Sequence, residues 1–93
     1  MQDRRRHRSI FPGAEKVFGL VLRDIRKERG LTQEALAFES GYHPTYIGQL
    51  ERGQKSPSLR TIIVLAATLD TVGSEMLRRI EARMSASPER RRR

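Results

Sequence analysis

The segment LTQEALAFESGYHPTYIGQLERG, residues 31–53, carries the pattern that decides the fold. A threonine N-cap opens a helix predicted over about residues 32–39. Gly41 ends this helix region, because glycine adopts a positive φ without steric cost. Pro44 stands in the first turn of the next helix, where proline is tolerated, and this helix is predicted over about residues 43–52. The segment therefore predicts two short helices joined by a tight turn.

Small and apolar residues stand in this segment where two crossing helices need them. Ala37 is small where the helices must approach closely, and Ile47 and Leu50 form the inner face of the second helix. The arrangement is a helix-turn-helix. Gly48 is an anomaly, because glycine in a helix interior costs about 1 kcal/mol relative to alanine. We therefore expect packing, rather than helix propensity, to hold the second helix in place.

Helical periodicity continues on both sides of this segment. Apolar residues recur at helical spacing over about residues 14–29, and again in a helix that begins near Ser58. A last helix runs from Gly73 or Ser74 to about Met84. No segment alternates as a strand does. The sequence therefore predicts an all-α bundle of five helices.

The positive charge of the chain is concentrated at its ends. Residues 1–13 and 85–93 each carry a net charge of +3, whereas residues 14–84 carry only +2. We interpret residues 14–84 as one domain between a basic N-terminal arm and a basic C-terminal tail, both flexible. Such arginine-rich ends either remain solvated or contact phosphates, which raises affinity for nucleic acid without reading sequence.

The composition also excludes several classes of protein. The chain has no cysteine, which excludes disulfides and cysteine-metal sites and favours a cytoplasmic location. No apolar run reaches the roughly 18 residues that suggest a membrane span, and no apolar region follows the basic N-terminus as in a secretory signal. His7 and His43 have no carboxylate or cysteine cluster beside them. We therefore expect no metal, no cofactor and no enzymatic activity.

Three motifs then resemble the Cro/CI-type helix-turn-helix family, also called the XRE family. They are L-T-Q-E-x-L-A at residues 31–37, Y-I-x-x-L-E-R-G at residues 46–53 and P-S-L at residues 57–59. The resemblance extends from Phe18 through Leu69. It implies a five-helix, lambda-repressor-like domain. Proteins of this kind usually bind a two-fold symmetric operator in double-stranded DNA as dimers and regulate transcription.

The resemblance also assigns roles to side chains near the turn. The second helix becomes the recognition helix, which enters the major groove. Base readout is implied for Pro44, Thr45 and Gln49. An amide such as that of Gln49 can bond adenine through two hydrogen bonds, whereas Pro44 offers only apolar contact. Contacts to the DNA backbone are implied for Gln33, His43, Tyr46, Arg52, Gln54 and Lys55.

Three structural expectations accompany these roles. The resemblance implies an ion pair between Arg26 and Glu51 that ties the first helix to the recognition helix, although Arg26 could instead be solvated. Tyr46 could pack in the core instead of contacting DNA, and Tyr42 is assigned to the core. The apolar stripe of the fifth helix either covers the bundle or forms a dimer interface. The interface residues would be Met76, Leu77, Ile80 and Met84.

The sequence therefore predicts a sequence-specific transcriptional regulator, a repressor, that binds DNA as a homodimer without a small-molecule ligand. Antitoxins and restriction-modification controller proteins share this compact form, and neighbouring genes would separate them. Because few side chains are available to read bases, a protein-interaction module that has lost specific DNA reading remains an alternative. Non-specific association through the arginine-rich ends is another.

Overall fold

The computed structural model describes residues 13–86, so most of the predicted arm and tail, residues 1–12 and 87–93, lies outside the described residues. Within this range the chain forms five helices: α1 Ala14–Glu28, α2 Gln33–Ser40, α3 Pro44–Glu51, α4 Leu59–Thr68 and α5 Gly73–Ser85. Residues 13–86 contain no strand. The all-α, five-helix prediction is confirmed, and the two helices of the central segment lie within one residue of their predicted bounds.

Side-chain caps fix the ends of the short helices. The Thr32 hydroxyl accepts a hydrogen bond of 3.0 Å from the backbone N–H of Ala35 at the start of α2. Gly41 ends α2 with a φ of 84°. At the start of α3, Nδ1 of His43 accepts a 3.0 Å hydrogen bond from the backbone N–H of Thr45. The turn between the two helices is therefore determined by local chemistry.

The core is built from the inner faces of all five helices. In α3, Ile47 and Leu50 are fully buried, and Leu36 and Ala37 of α2 are buried opposite them. Helix α1 packs against α3 and α5, whereas α2 packs against α3 and α4. Helix α3 is thus held between α1 and α2. No helix in the described part of the chain is long and apolar enough to cross a membrane.

Helix α5 contributes much of its apolar stripe to this core. Met76 is fully buried and Ile80 is only 8% exposed. Met84 is partly buried against the core. Met76 and Ile80 fill the space between α5 and its neighbours, which favours the alternative that the stripe covers the bundle. Their role as dimer contacts stays a prediction. Leu77, at 43% exposure, is the member of the stripe that remains accessible.

The outer side of α5 is charged and is tied to α1. Arg79 bonds Glu28 at 3.0 Å, and Arg83 bonds Asp24 at 2.9 Å. Hydrogen bonds from Arg78 and Arg79 lower the pKa of Glu75 to about 2. These pairs are solvent-exposed, so each contributes little to stability. Those of Arg79 with Glu28 and of Arg83 with Asp24 join α5 to α1.

Candidate nucleic-acid interface

Helix α3 has one buried face and one accessible face. Ile47 and Leu50 are fully buried, whereas Pro44 and Thr45 are exposed and Gln49 is half-buried. The three side chains predicted to read bases therefore remain accessible to a partner while the opposite face anchors the helix. Pro44 is the first residue of α3, where its missing N–H breaks no helical hydrogen bond.

Gly48, in α3, is covered by the polar side chains of Gln33 and Arg52. A Cβ at this position would lie 3.1 Å from Nη1 of Arg52 and 3.6 Å from Oε1 of Gln33. The glycine is buried for this reason, although neither neighbour belongs to the apolar core. The absence of a side chain lets the end of Arg52, predicted to contact the DNA backbone, lie close to α3, whereas Gln33 lies at an ordinary contact distance. This contact explains the glycine that the sequence left as an anomaly.

Replacing Gly48 by alanine should stabilise the protein but weaken its binding to DNA. Alanine favours a helix interior by about 1 kcal/mol, and the group that must move is the flexible end of Arg52. We therefore expect the free energy of unfolding to rise by up to about 1 kcal/mol. Displacement of Arg52 should weaken DNA binding about two- to fivefold, or roughly 0.4–1 kcal/mol. Urea unfolding and DNA titration measure the two effects, and unchanged affinity would contradict this role of the glycine.

A buried ion pair joins α3 to α1 and α2. Nε and Nη2 of Arg26 donate to the two carboxylate oxygens of Glu51 at 2.6 and 3.0 Å. Nη1 of Arg26 donates to the backbone oxygen of Leu31 at 2.8 Å. Nε2 of Gln33 donates to Oε1 of Glu51 at 2.9 Å. The hydrogen bonds to Glu51 raise the pKa of Arg26 above its ordinary value, so Arg26 is always charged here.

This network also orients Gln33 at the start of α2. The bond to Glu51 uses one hydrogen of the Gln33 amide and leaves the second for another acceptor. Gln33 is the first residue of α2, where the free backbone N–H groups and the helix dipole favour an anion. The side chain is therefore held in an arrangement suited to a phosphate oxygen.

Tyr46 points a hydrogen-bonding group into the protein. The hydroxyls of Tyr42, Tyr46 and Ser58 lie 3.2, 3.3 and 3.0 Å from Oγ1 of Thr61. Thr61 is only 4% exposed, and its hydroxyl can donate once and accept twice, so all three contacts satisfy it. Tyr46 thus has a hydrogen-bond partner on α4, which makes it the weakest candidate among the predicted contacts with the DNA backbone. Tyr42 packs against the core as expected.

Polar side chains continue the accessible surface beyond the end of α3. Nη2 of Arg52 donates to Oε1 of Gln54 at 3.3 Å. Gly53, between them, has a φ of 75° and turns the chain away from the helix. Arg52, Gln54 and Lys55 are all exposed. Arg52 and Gln54 are therefore neighbours on one surface, and His43 lies exposed at the other end of the helix.

Sequence reasoning missed Gly19 of α1, which lies directly against the backbone of α3. A Cβ on Gly19 would lie 2.5 Å from the backbone oxygen of Leu50 and even closer to that of Glu51. Helix α1 therefore crosses α3 with backbone directly against backbone. The available signal was a glycine inside an otherwise apolar helical stripe, where it lowers helix propensity and needs a packing reason.

Comparison with known proteins agrees with this geometry. The family model HTH_3, described as Helix-turn-helix, matches residues 22–77. Control protein C.SmaI of Serratia marcescens is 38% identical over 69 residues, which cover 74% of this chain and 82% of that protein. The crystal structure of the restriction-modification controller protein C.AhdI from Aeromonas hydrophila is 45% identical, with a TM-score of 0.65, and covers 67% of this chain and 94% of that one.

A third similar structure contains DNA. It is the C.Esp1396I controller protein tetramer in complex with its natural 35-base-pair operator. Its chain is 25% identical to this one, with a TM-score of 0.69, and the match covers 74% of this chain and 91% of that chain.

Proposed function

The chain belongs to the helix-turn-helix family of DNA-binding transcriptional regulators, which are not enzymes, and we propose that it binds a two-fold symmetric DNA site as a homodimer. We further propose that binding represses transcription. The observation that carries this proposal is the accessible face of α3, held rigidly by the bond of Glu51 to both Arg26 and Gln33. A cytoplasmic location would follow from the DNA partner.

Within this function, Thr45 and Gln49 are the side chains to which we assign base readout. A hydroxyl can donate or accept at a base edge, and an amide can pair with adenine N6 and N7. Pro44 adds apolar contact only. Contacts of Gln33, Arg52 and Lys55 with phosphates would position α3 without reading sequence. Few base contacts predict a consensus with few strongly specified positions in each half-site.

Exposed apolar side chains on α4, at the N-cap of α5 and on α5 support the homodimer. Leu59, Ile63, Val72 and Leu77 are 71, 54, 59 and 43% exposed. A Cβ at Gly73 would lie within 3.9 Å of Ile63, so the start of α5 adjoins the outer side of α4. We propose that a second copy covers this surface, with Leu77 as the contact retained from the sequence prediction.

A controller protein of a restriction-modification system is the more specific form of this proposal. It is favoured by C.SmaI and C.AhdI, which are 38 and 45% identical to this chain and carry that description. The genes beside the one encoding this chain test it, since a controller would neighbour an endonuclease and a methyltransferase. An antitoxin would instead neighbour a toxin gene.

Selection of bound sequences from a random pool of DNA duplexes at physiological salt tests the proposed function. We expect a two-fold symmetric consensus with half-sites about one helical turn apart, and a dimer in sedimentation equilibrium. The same site placed in a reporter promoter should lower transcription. No enrichment together with a steep salt dependence would instead indicate tail-driven binding. Absence of any DNA binding would favour a protein-interaction module.

A further inference from the structure

Lys16 of α1 lies against the turn that follows the recognition helix. A Cβ at Gly53 would lie 2.7 Å from Cγ of Lys16 and 2.9 Å from its Cα. Gly53 is preceded by Arg52 and followed two residues later by Lys55, and all three cationic residues are exposed. Two separate elements therefore bring positive charges to one small surface, which we call the Lys16 surface (Lys16, Arg52 and Lys55).

The charges of the Lys16 surface have no carboxylate partner within residues 13–86. Every ion pair in that range involves Arg26, Arg78, Arg79 or Arg83. Arg52 bonds only the neutral amide of Gln54. Glu15, next to Lys16 in sequence, lines a different groove, between α1 and Leu77 of α5. Within residues 13–86, no carboxylate therefore offsets the positive charge of this surface.

The place of Lys16 within α1 adds a second observation. It is the third residue of the helix, and the positive end of the helix dipole disfavours a cation in the first turn. The lysine thus slightly destabilises α1, and it gains no compensating ion pair in the described part of the chain. An anionic partner beside Arg52 would reverse this unfavourable interaction.

We propose that Lys16 contacts the DNA backbone, so that α1 and the turn after α3 bind neighbouring phosphates on one strand. Arg52 also lies over Gly48 beside Gln33, so the proposed phosphate contacts would extend from the start of α2 to α1. Lysine suits this role because its ammonium acts as a point charge and needs no fixed direction of approach. The inference rests on the proposed function only in requiring DNA as the partner.

The test compares Lys16→Gln with Arg78→Gln, which removes the same charge from an exposed site on α5. The slope of log K against log salt is negative, and we expect Lys16→Gln to make it less steep by about 0.9 for each protomer bound. It should weaken binding to the selected duplex and to a scrambled duplex by the same factor. Lys16→Arg should restore binding, and Arg78→Gln should match the wild type. Thermal unfolding checks that every variant is folded.

The outcomes separate this inference from the proposed function. If random-pool selection yields no consensus but Lys16→Gln still lowers the salt slope, the sequence-specific function fails and the Lys16 contact stands. If a consensus is found and Lys16→Gln binds like the wild type and Arg78→Gln, the Lys16 contact is wrong and the function stands. Equal losses in Lys16→Gln and Arg78→Gln also overturn the inference, because they would report only the net charge.

Discussion

Replacing Gly19 by alanine should lower the free energy of unfolding by about 3 kcal/mol or more. The added Cβ would lie 2.5 Å from the backbone oxygen of Leu50, and neither this oxygen nor that of Glu51 belongs to a side chain that could rotate away. Helix α1 must therefore shift from α3, and the core contacts between them must loosen. Better helix propensity returns only about 1 kcal/mol of this loss.

The matched control for Gly19→Ala is Gly48→Ala. Both substitutions add one methyl group to a buried glycine within a helix, so their effects on helix propensity are alike. They differ in what the methyl group meets: main-chain oxygens at Gly19, and the end of the Arg52 side chain at Gly48. Urea unfolding should give changes of opposite sign. A stable Gly19→Ala variant would show that α1 does not need this close crossing.

The two glycines also show what could be predicted from the sequence. The pattern of apolar residues, caps and glycine turns predicted all five helices because these signals are local in the chain. The backbone contact at Gly19 joins residues far apart in sequence, and no local signal specifies the partner. The same holds for Lys16 in α1, because its neighbour Gly53 follows the end of α3, far along the chain. Helix faces could be predicted, as could the close approach of α2 and α3 at Ala37, whereas the crossing of α1 and α3 at Gly19 could not.

The fifth helix shows the same limit of sequence-based prediction, here for an apolar face. Its stripe of Met76, Leu77, Ile80 and Met84 was visible in the sequence, but periodicity alone does not say what covers an apolar face. The structure places Met76 and Ile80 in the core of the protomer. Leu77 remains exposed and lines a groove together with Ile62 of α4, an arrangement that depends on how the two helices pack and that a linear pattern does not contain.

Replacing Glu51 by glutamine should destabilise the protein by about 3–5 kcal/mol, because it leaves the buried charge of Arg26 uncompensated. The side chains of Arg26 and Glu51 are only 10 and 4% exposed, so water cannot take the place of the carboxylate. The glutamine amide can offer one oxygen, but its NH₂ group would face donors of Arg26 or Gln33. Urea unfolding of the variant measures the loss.

The pH dependence of this loss follows from Arg26. The hydrogen bonds to Glu51 raise the pKa of Arg26 above its ordinary value in the folded protein. A group whose pKa is raised on folding contributes its full stability below the unfolded pKa and loses it only as the pH passes the folded pKa. The contribution of Arg26 is therefore constant over the usual range, and Glu51→Gln should be equally destabilising at about pH 6 and pH 9.

A double-mutant cycle distinguishes a lost ion pair from a general disturbance of the core. Arg26→Met removes the buried charge and keeps much of the side-chain volume, so the double variant Arg26→Met/Glu51→Gln should be more stable than Glu51→Gln alone. Glu75→Gln is the control for an ion pair in solvent, and it should change stability far less because water screens the charge. Additive effects in the cycle would contradict direct coupling.

The consequence for DNA binding follows from Gln33, the second partner of Glu51. Gln33 donates to the same carboxylate, so Glu51→Gln removes the bond that orients the predicted phosphate contact at the start of α2 as well as the anchor of α3 on α1. We therefore expect the folded variant to bind the selected duplex more weakly than the wild type, measured at a temperature where unfolding is negligible. Unchanged stability and unchanged affinity together would mean that the Arg26–Glu51 pair has no role in either.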